Sequence, residues 1–256
     1  MAREVYGRAV SSVTAKVLAL LAAFTPESPE LSLSDLARRS GVSLPTAHRR
    51  VAELVDWGAL ERTPTGRYRV GLRLWEVASL APRGLALREQ ALPFLEDLYV
   101  VTRQNVQLAV REGQELVFVE RIAGREAVPV LTRVGGRFSL HATGVGLVLL
   151  AFAPAEVQES VLAGPLPAYT PQTVTDPVEL RRLLAEVRRS GHVVSDRMVT
   201  DDALSVAAPV RGARREVVAA VSLVVTAGAA DPKALVSVVL TAARGISRAV
   251  GMPPET

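Results

Sequence analysis

The sequence predicts an α+β chain in two parts, and three observations predict it. Three short helical segments and a Pro/Gly-centred hairpin fill the first 71 residues. Asp-Pro pairs at Asp176-Pro177 and Asp231-Pro232 open two later helices, as an N-cap followed by proline in the first turn. Apolar runs between helical stretches in the remaining two thirds read as a largely antiparallel sheet with helices before and after it. A chain of 256 residues is long for one domain and comfortable for two, and 49% hydrophobic with 22% charged residues excludes disorder.

Val13, Val17, Leu20, Leu21 and Phe24 follow helical spacing, which predicts a first helix over Val10–Phe24 that Pro26 and Pro29 end. A second runs over Ser34–Ser40, with Ser34 or Ser32 as N-cap, Leu36 and Ala37 inward, and Gly41 closing it. Ser43 caps a third, with Pro45 in its first turn and Gly58 past its end. Two helices joined by a glycine turn form a helix-turn-helix layout. Leu60 to Arg62 and Arg67 to Val70 flank the turn Thr63-Pro64-Thr65-Gly66, a hairpin in the position of a wing.

On the third helix Ala47, Val51, Leu54 and Val55 share one side and Arg49 lies opposite, flanked by Pro45, Thr46 and Glu53. Such a helix suits the DNA major groove, where Arg49 would donate two hydrogen bonds to a guanine edge and Thr46 would meet a phosphate or a thymine methyl. His48 and Arg50 sit on the shoulders, where phosphate contact is expected. The DNA-contacting set is therefore Ser43, Leu44, Pro45, Thr46, His48, Arg49 and Arg50, with Arg62, Arg67 and Arg69 from the hairpin. Charge agrees: of a net +4, residues 1–80 hold 11 basic and 8 acidic side chains. The alternative for each is an ordinary solvated face.

Leu72–Leu80 reads as a short linker helix, apolar on more than one face. Its Trp75 either anchors a second subunit or packs within its own chain. Pro82 and Gly84 mark a boundary, so the expected organisation is residues 1–71, a linker over 72–83, and a domain over 84–256. There a helix over Leu85–Thr102 precedes strands near Val106–Arg111, Leu116–Arg121 and Val128–Arg133. Helices over Thr143–Phe152, Pro154–Leu162 and from Asp176 to Ser190 follow. Strands at Val193–Ser195, Ser205–Val210 and Val217–Val225 precede a last helix ending near Val250.

Chemistry is not evident. Cysteine is absent, which excludes disulfides and thiolate sites, and the three histidines His48, His141 and His192 lack metal-ligand spacing. Gly144-Val145-Gly146 lacks the lysine of a phosphate-binding loop. Ser139, His141 and Asp196 form the kind of set any chain of this length permits, so no enzyme, cofactor or metal is expected. No secretion signal or span of 18 to 20 apolar residues is read, and the expectation is a cytoplasmic protein without a membrane partner.

The run LSLSDLARRSGVSLPTAHRRVAELVDWGALERTPTGRYRVG resembles the DNA-binding domain of the IclR family of bacterial transcriptional regulators. RVGGRFSLHATGVGLVLLAF, TVTDPVELRRLLAEVRRSGHVVSD and LSVAAPVRGARREVVAAVSLVV resemble, in order, later segments of the same family. The resemblance implies a winged helix-turn-helix, a linker helix and a C-terminal GAF-like α/β effector-binding domain, assembled as a homodimer or a dimer of dimers. It also implies a repressor that binds a pseudo-palindromic operator in double-stranded DNA under control of a small carboxylic-acid effector. The alternatives are a sensor acting through a protein partner and an enzyme of the C-terminal domain.

The resemblance implies, further, that the backbone at Gly144 and Val145 binds the carboxylate, beside side chains of Ser195, Ser205, Ser222 and Val224, with Val130, Phe138 and Ala203 on the apolar side. This chain departs from the family at Ser195, where an acidic residue is common, at Ser205 (cysteine), at Val224 (serine) and at Leu147 (lysine). A less polar pocket is expected, with Ser222 and the loop amides as main hydrogen-bonding groups and an aromatic or branched acid as ligand. The serines are otherwise core residues bonded to backbone. Asp196 and Met198 point inward if the strand register shifts by one.

Overall fold

The computed structural model describes residues 12–81 and 84–251. The chain forms two compact units, Met1–Pro82 and Arg83–Thr256.

In the first unit, helices α1 (Val13–Leu21), α2 (Leu33–Ser40) and α3 (Leu44–Trp57) enclose Leu20, Leu31, Leu36, Val51 and Leu60. Val10 lies outside the described residues, and Val13 is exposed rather than inward, because α1 buries its stripe only toward its C-terminal end, at Leu20. Ser32 caps α2: its hydroxyl accepts the Asp35 N–H at 3.1 Å and donates to the Asp35 carboxylate at 2.7 Å. Those bonds, with Arg38, lower the Asp35 carboxyl to about 2. Gly41 (φ 68°) and Gly58 (φ 86°) end α2 and α3 in the left-handed region that a side chain disfavours.

The wing pairs β1 (Leu60–Arg62) with β2 (Tyr68–Val70) antiparallel, and Leu31 exchanges both backbone hydrogen bonds with Tyr68, tying the entry to α2 onto the hairpin. Helix α4 (Leu72–Ala78) follows. Its Trp75 is 59% exposed, so the core of this unit does not hold it.

The second unit is a six-stranded antiparallel sheet between helical layers. Its elements are α5 (Leu85–Thr102), β3 (Asn105–Glu112), β4 (Glu115–Ile122), β5 (Arg137–Ser139), α6 (Gly144–Ala151), α7 (Ala155–Leu162), α8 (Pro177–Ser190), β6 (Val193–Asp196), β7 (Ala203–Arg211), β8 (Val217–Thr226) and α9 (Pro232–Gly251). The strand order is β5-β4-β3-β8-β7-β6. Period-two alternation sorts the strands' side chains: Val106, Leu108, Val206, Val221 and Leu223 meet α5 and α9, while Ala109, Ala207 and Ala220 meet α6 on the other face. Against the expectation that no apolar stretch is long enough to span a bilayer, helix α9 passes that test by length and composition. Its Val239, Ala243 and Ile246 are buried in the core it shares with α5 and the sheet.

The strand expected at Val128–Arg133 does not form. Pro129 removes a ladder donor, and side chains of β3 capture the segment instead: Asn105 Nδ2 donates to the Val128 carbonyl at 2.8 Å, and Gln107 Nε2 to Thr132 Oγ1 at 2.6 Å. The chain rejoins the edge of β4 only past the Gly135-Gly136 turn, where Gly135 N donates to Phe118 O and Phe118 N to Gly136 O.

Candidate functional site

Two places carry the residues singled out from the sequence. The first is the outer face of α3 and the wing. Ser43 starts α3 without a side-chain cap; its hydroxyl donates to Thr46 Oγ1 at 3.0 Å. Leu44, Pro45, His48 and Arg49 are exposed and Thr46 is half-buried. Arg49 makes no hydrogen bond or ion pair among the described residues, and the same holds for the exposed Arg62 on β1. The other arginines differ from expectation. Arg50 turns back along the helix, donates from Nη1 to both Glu53 oxygens at 2.6 and 2.7 Å, and keeps only 13% of its side chain exposed. Its hydrogen bond holds the Glu53 carboxyl below the ordinary range.

Arg67 donates to the Glu30 carbonyl at 2.9 Å, and Arg69 to Glu61 at 2.9 Å, which lowers the Glu61 carboxyl. Short acidic neighbours three residues along a helix, or directly across a hairpin, capture a flexible guanidinium. Arg49 and Arg62 are therefore the two guanidinium groups of the expected set without a hydrogen bond or ion pair among the described residues.

The second place is a cavity in the second unit, lined by Val130, Gly144, Val145, Ser195, Ala203, Ser205 and Val224 of the expected residues. Its floor follows one row across the sheet, because Val224 pairs with Ser205 and Ser205 with Ser195. The N-terminus of α6 closes one end. There Thr143 Oγ1 accepts the Gly146 N–H at 3.0 Å and the Thr143 carbonyl accepts that of Leu147 at 2.8 Å. The N–H groups of Gly144 and Val145 begin the helix, have no carbonyl four residues back within it, and lie at its positive end.

The two glycines are there for approach, not for phosphate. A Cβ at Gly144 would meet Ser205 Oγ at 2.7 Å, and one at Gly146 would collide with the Leu140 carbonyl, so only glycine seats α6 this close to β7 and its own entry loop.

Phe138 and Ser222 are not part of the cavity wall. Phe138 sits on the edge strand β5, where it contacts Tyr169 with centroids 5.0 Å apart. Ser222 faces the same side of β8 as Val224 but one row further in, beside Ala207 and Gln107. It is fully buried, and its hydroxyl finds no partner among the described residues. The main hydrogen-bonding side chains of the wall include three that the sequence reading missed, Gln107, Thr132 and Thr200. Met198 also lines the cavity while Asp196 is exposed. No register shift is involved: Arg197 adopts φ 52°, which turns the chain after β6 and swings Met198 inward. Gln107 reaches the wall through the pairing of β3 with β8, and Thr132 through its side-chain bond to Gln107, which no local pattern announces.

Comparison with known proteins gives a consistent pattern. The family model described as "IclR helix-turn-helix domain" matches residues 13–64, and that described as "Bacterial transcriptional regulator IclR C-terminal" matches residues 81–248. A solved IclR homolog from Microbacterium hydrocarbonoxydans, complexed with 4-hydroxybenzoate, is 41% identical with a TM-score of 0.90, over 93% of this chain and 99% of that one. The HTH-type transcriptional regulator XynR of Escherichia coli is 29% identical over 93% of this chain and 96% of its own length. KipR of Bacillus subtilis is 31% identical over 81% and 83% respectively.

Proposed function

The chain belongs to the IclR family of bacterial transcriptional regulators, and from that premise we propose that it represses from a pseudo-palindromic operator and releases it when an aromatic carboxylic acid enters the cavity of the second unit. The observation that carries the effector half is the cavity itself. It joins two N–H groups at the start of α6, without an acceptor among the described residues, to walls of Val130, Leu131, Val145, Met198, Val199, Ala203 and Val224. Among the described residues no acidic or basic side chain lines it, so a carboxylate is held by helix-end amides and serine or threonine hydroxyls, and the rest of the ligand must be apolar. The bound 4-hydroxybenzoate of the Microbacterium homolog supports that ligand class.

The DNA half rests on Arg49 and Arg62, which are exposed and make no hydrogen bond among the described residues. A homodimer places two copies of α3 about one helical turn of DNA apart. An effector shifts operator affinity only by its differential affinity for the bound and free geometries.

The test is selection of genomic fragments at physiological salt, followed by titration of the best fragment with and without benzoate-type acids. Enrichment of one palindrome, released by an aromatic acid that is recovered chemically unchanged, is the expected result. Uniform binding to all sequences that falls steeply with salt would reduce the first unit to electrostatic attraction. Indifference of a specific complex to every acid would remove the effector assignment.

A further inference from the structure

We propose that Gln107, with Thr132, selects an effector that bears a hydroxyl at the end remote from its carboxylate; this rests on reading the cavity as a carboxylate site. Gln107 is 3% exposed and lines the cavity, so its amide is removed from bulk water. Its Nε2 donates to Thr132 Oγ1 at 2.6 Å, which fixes the amide plane, and no described residue donates to its Oε1. An amide oxygen only accepts. Thr132, having accepted from Gln107, keeps its own hydroxyl proton to donate. The pair therefore offers one acceptor and one donor side by side, the complement of a hydroxyl. An ether oxygen satisfies only the donor, and a bare ring satisfies neither.

Position supports the same reading. A Cβ on Gly144 would meet Ser205 and Ala207, which places the α6 amides over β7, whereas Gln107 stands on β3. β8 lies between them, so the two polar ends are two strand spacings apart, about 10 Å. The apolar Val224 of β8 occupies the interval, and Val130 and Val145 line the same cavity. One aromatic ring substituted at opposite ends spans such an interval and keeps its faces against valines; an acid of two or three carbons reaches only one end.

The experiment is calorimetric titration of the full chain with 4-hydroxybenzoate, 4-methoxybenzoate and benzoate, for the parent, Gln107→Leu and Thr132→Val. The parent is expected to bind 4-hydroxybenzoate at least about tenfold tighter than the other two. Gln107→Leu should erase that preference by weakening 4-hydroxybenzoate far more than benzoate, and Thr132→Val, a change outside the sheet, should lower the same ratio. A preference that survives both substitutions overturns the proposal, as does 4-methoxybenzoate matching 4-hydroxybenzoate, or equal weakening of all three acids. If none of the three acids binds the parent, the carboxylate reading of the cavity falls and takes this proposal with it.

Discussion

Arg49 and Arg62 make no hydrogen bond among the described residues, Arg49 feeling only the charge of Glu53, so neither has such a bond to break before it meets DNA. Arg49→Ala is expected to weaken specific operator binding by about 1–3 kcal/mol and relax one base position, measured by competition between operator variants. A loss of the same size on every sequence would make Arg49 a phosphate contact. Ser222 poses the opposite case. Its buried hydroxyl has no partner among the described residues, a state that costs free energy, so Ser222→Ala should raise stability by about 1 kcal/mol in denaturant unfolding and leave ligand titration unchanged. A blunted titration would return Ser222 to the cavity. At this scale the sequence was half legible: helical periodicity located Arg49 on the outer face, but nothing in it revealed that Glu53 captures Arg50 or that Ser222 is buried one row inside the cavity floor.

Elements are held by short signals that local sequence states openly. Asp176 caps α8 by accepting the Val178 and Glu179 N–H groups at 2.7 and 2.8 Å, and Gly191 (φ 73°) ends it, which is why that helix was readable to the residue. The segment after Val128 was misread because its β-branched composition competes with Pro129 and with two side-chain bonds from β3. Helix α6 depends on Gly146. Gly146→Ala would drive a Cβ into the Leu140 carbonyl and the Thr143 cap, and is expected to cost about 1–3 kcal/mol of stability with loss of acid binding. An unchanged melting temperature would show that the entry loop yields.

Two residues before that cap, buried His141 hydrogen-bonds the Pro167 carbonyl through Nε2 at 3.0 Å, and burial holds its pKa below the ordinary value. The folded state thus binds a proton less readily than the unfolded chain, which takes one near pH 6.5. The contribution of His141 is complete above that pH and is lost as pH falls below it. His141→Gln should flatten the decline in stability between pH 7 and 5; a decline of equal slope would assign it to other groups.

At the scale of the whole molecule, the order of elements was legible because each carries its own cap, turn or period, while the cavity was not. Its wall gathers Gln107, Thr132, Val145, Met198, Ser205 and Val224 from strands, loops and a helix far apart in the chain, and only the sheet order brings them together. Binding there should stabilise the second unit: at a hundredfold excess over Kd an acid adds about 2.7 kcal/mol, visible as a rise in its unfolding temperature. An acid that loosens the operator complex with no such rise would be acting elsewhere. The piece of wall between Val128 and Thr132 is fastened by two side-chain bonds and no ladder. Substitutions at Val130 and Leu131, which neither bond engages, are expected to redraw the wall with neither the sheet nor the helices asked to refold. Inheritance can therefore vary what such a chain perceives while conserving how it stands, and a designer seeking a sensor for a new aromatic acid should begin by randomising that stretch.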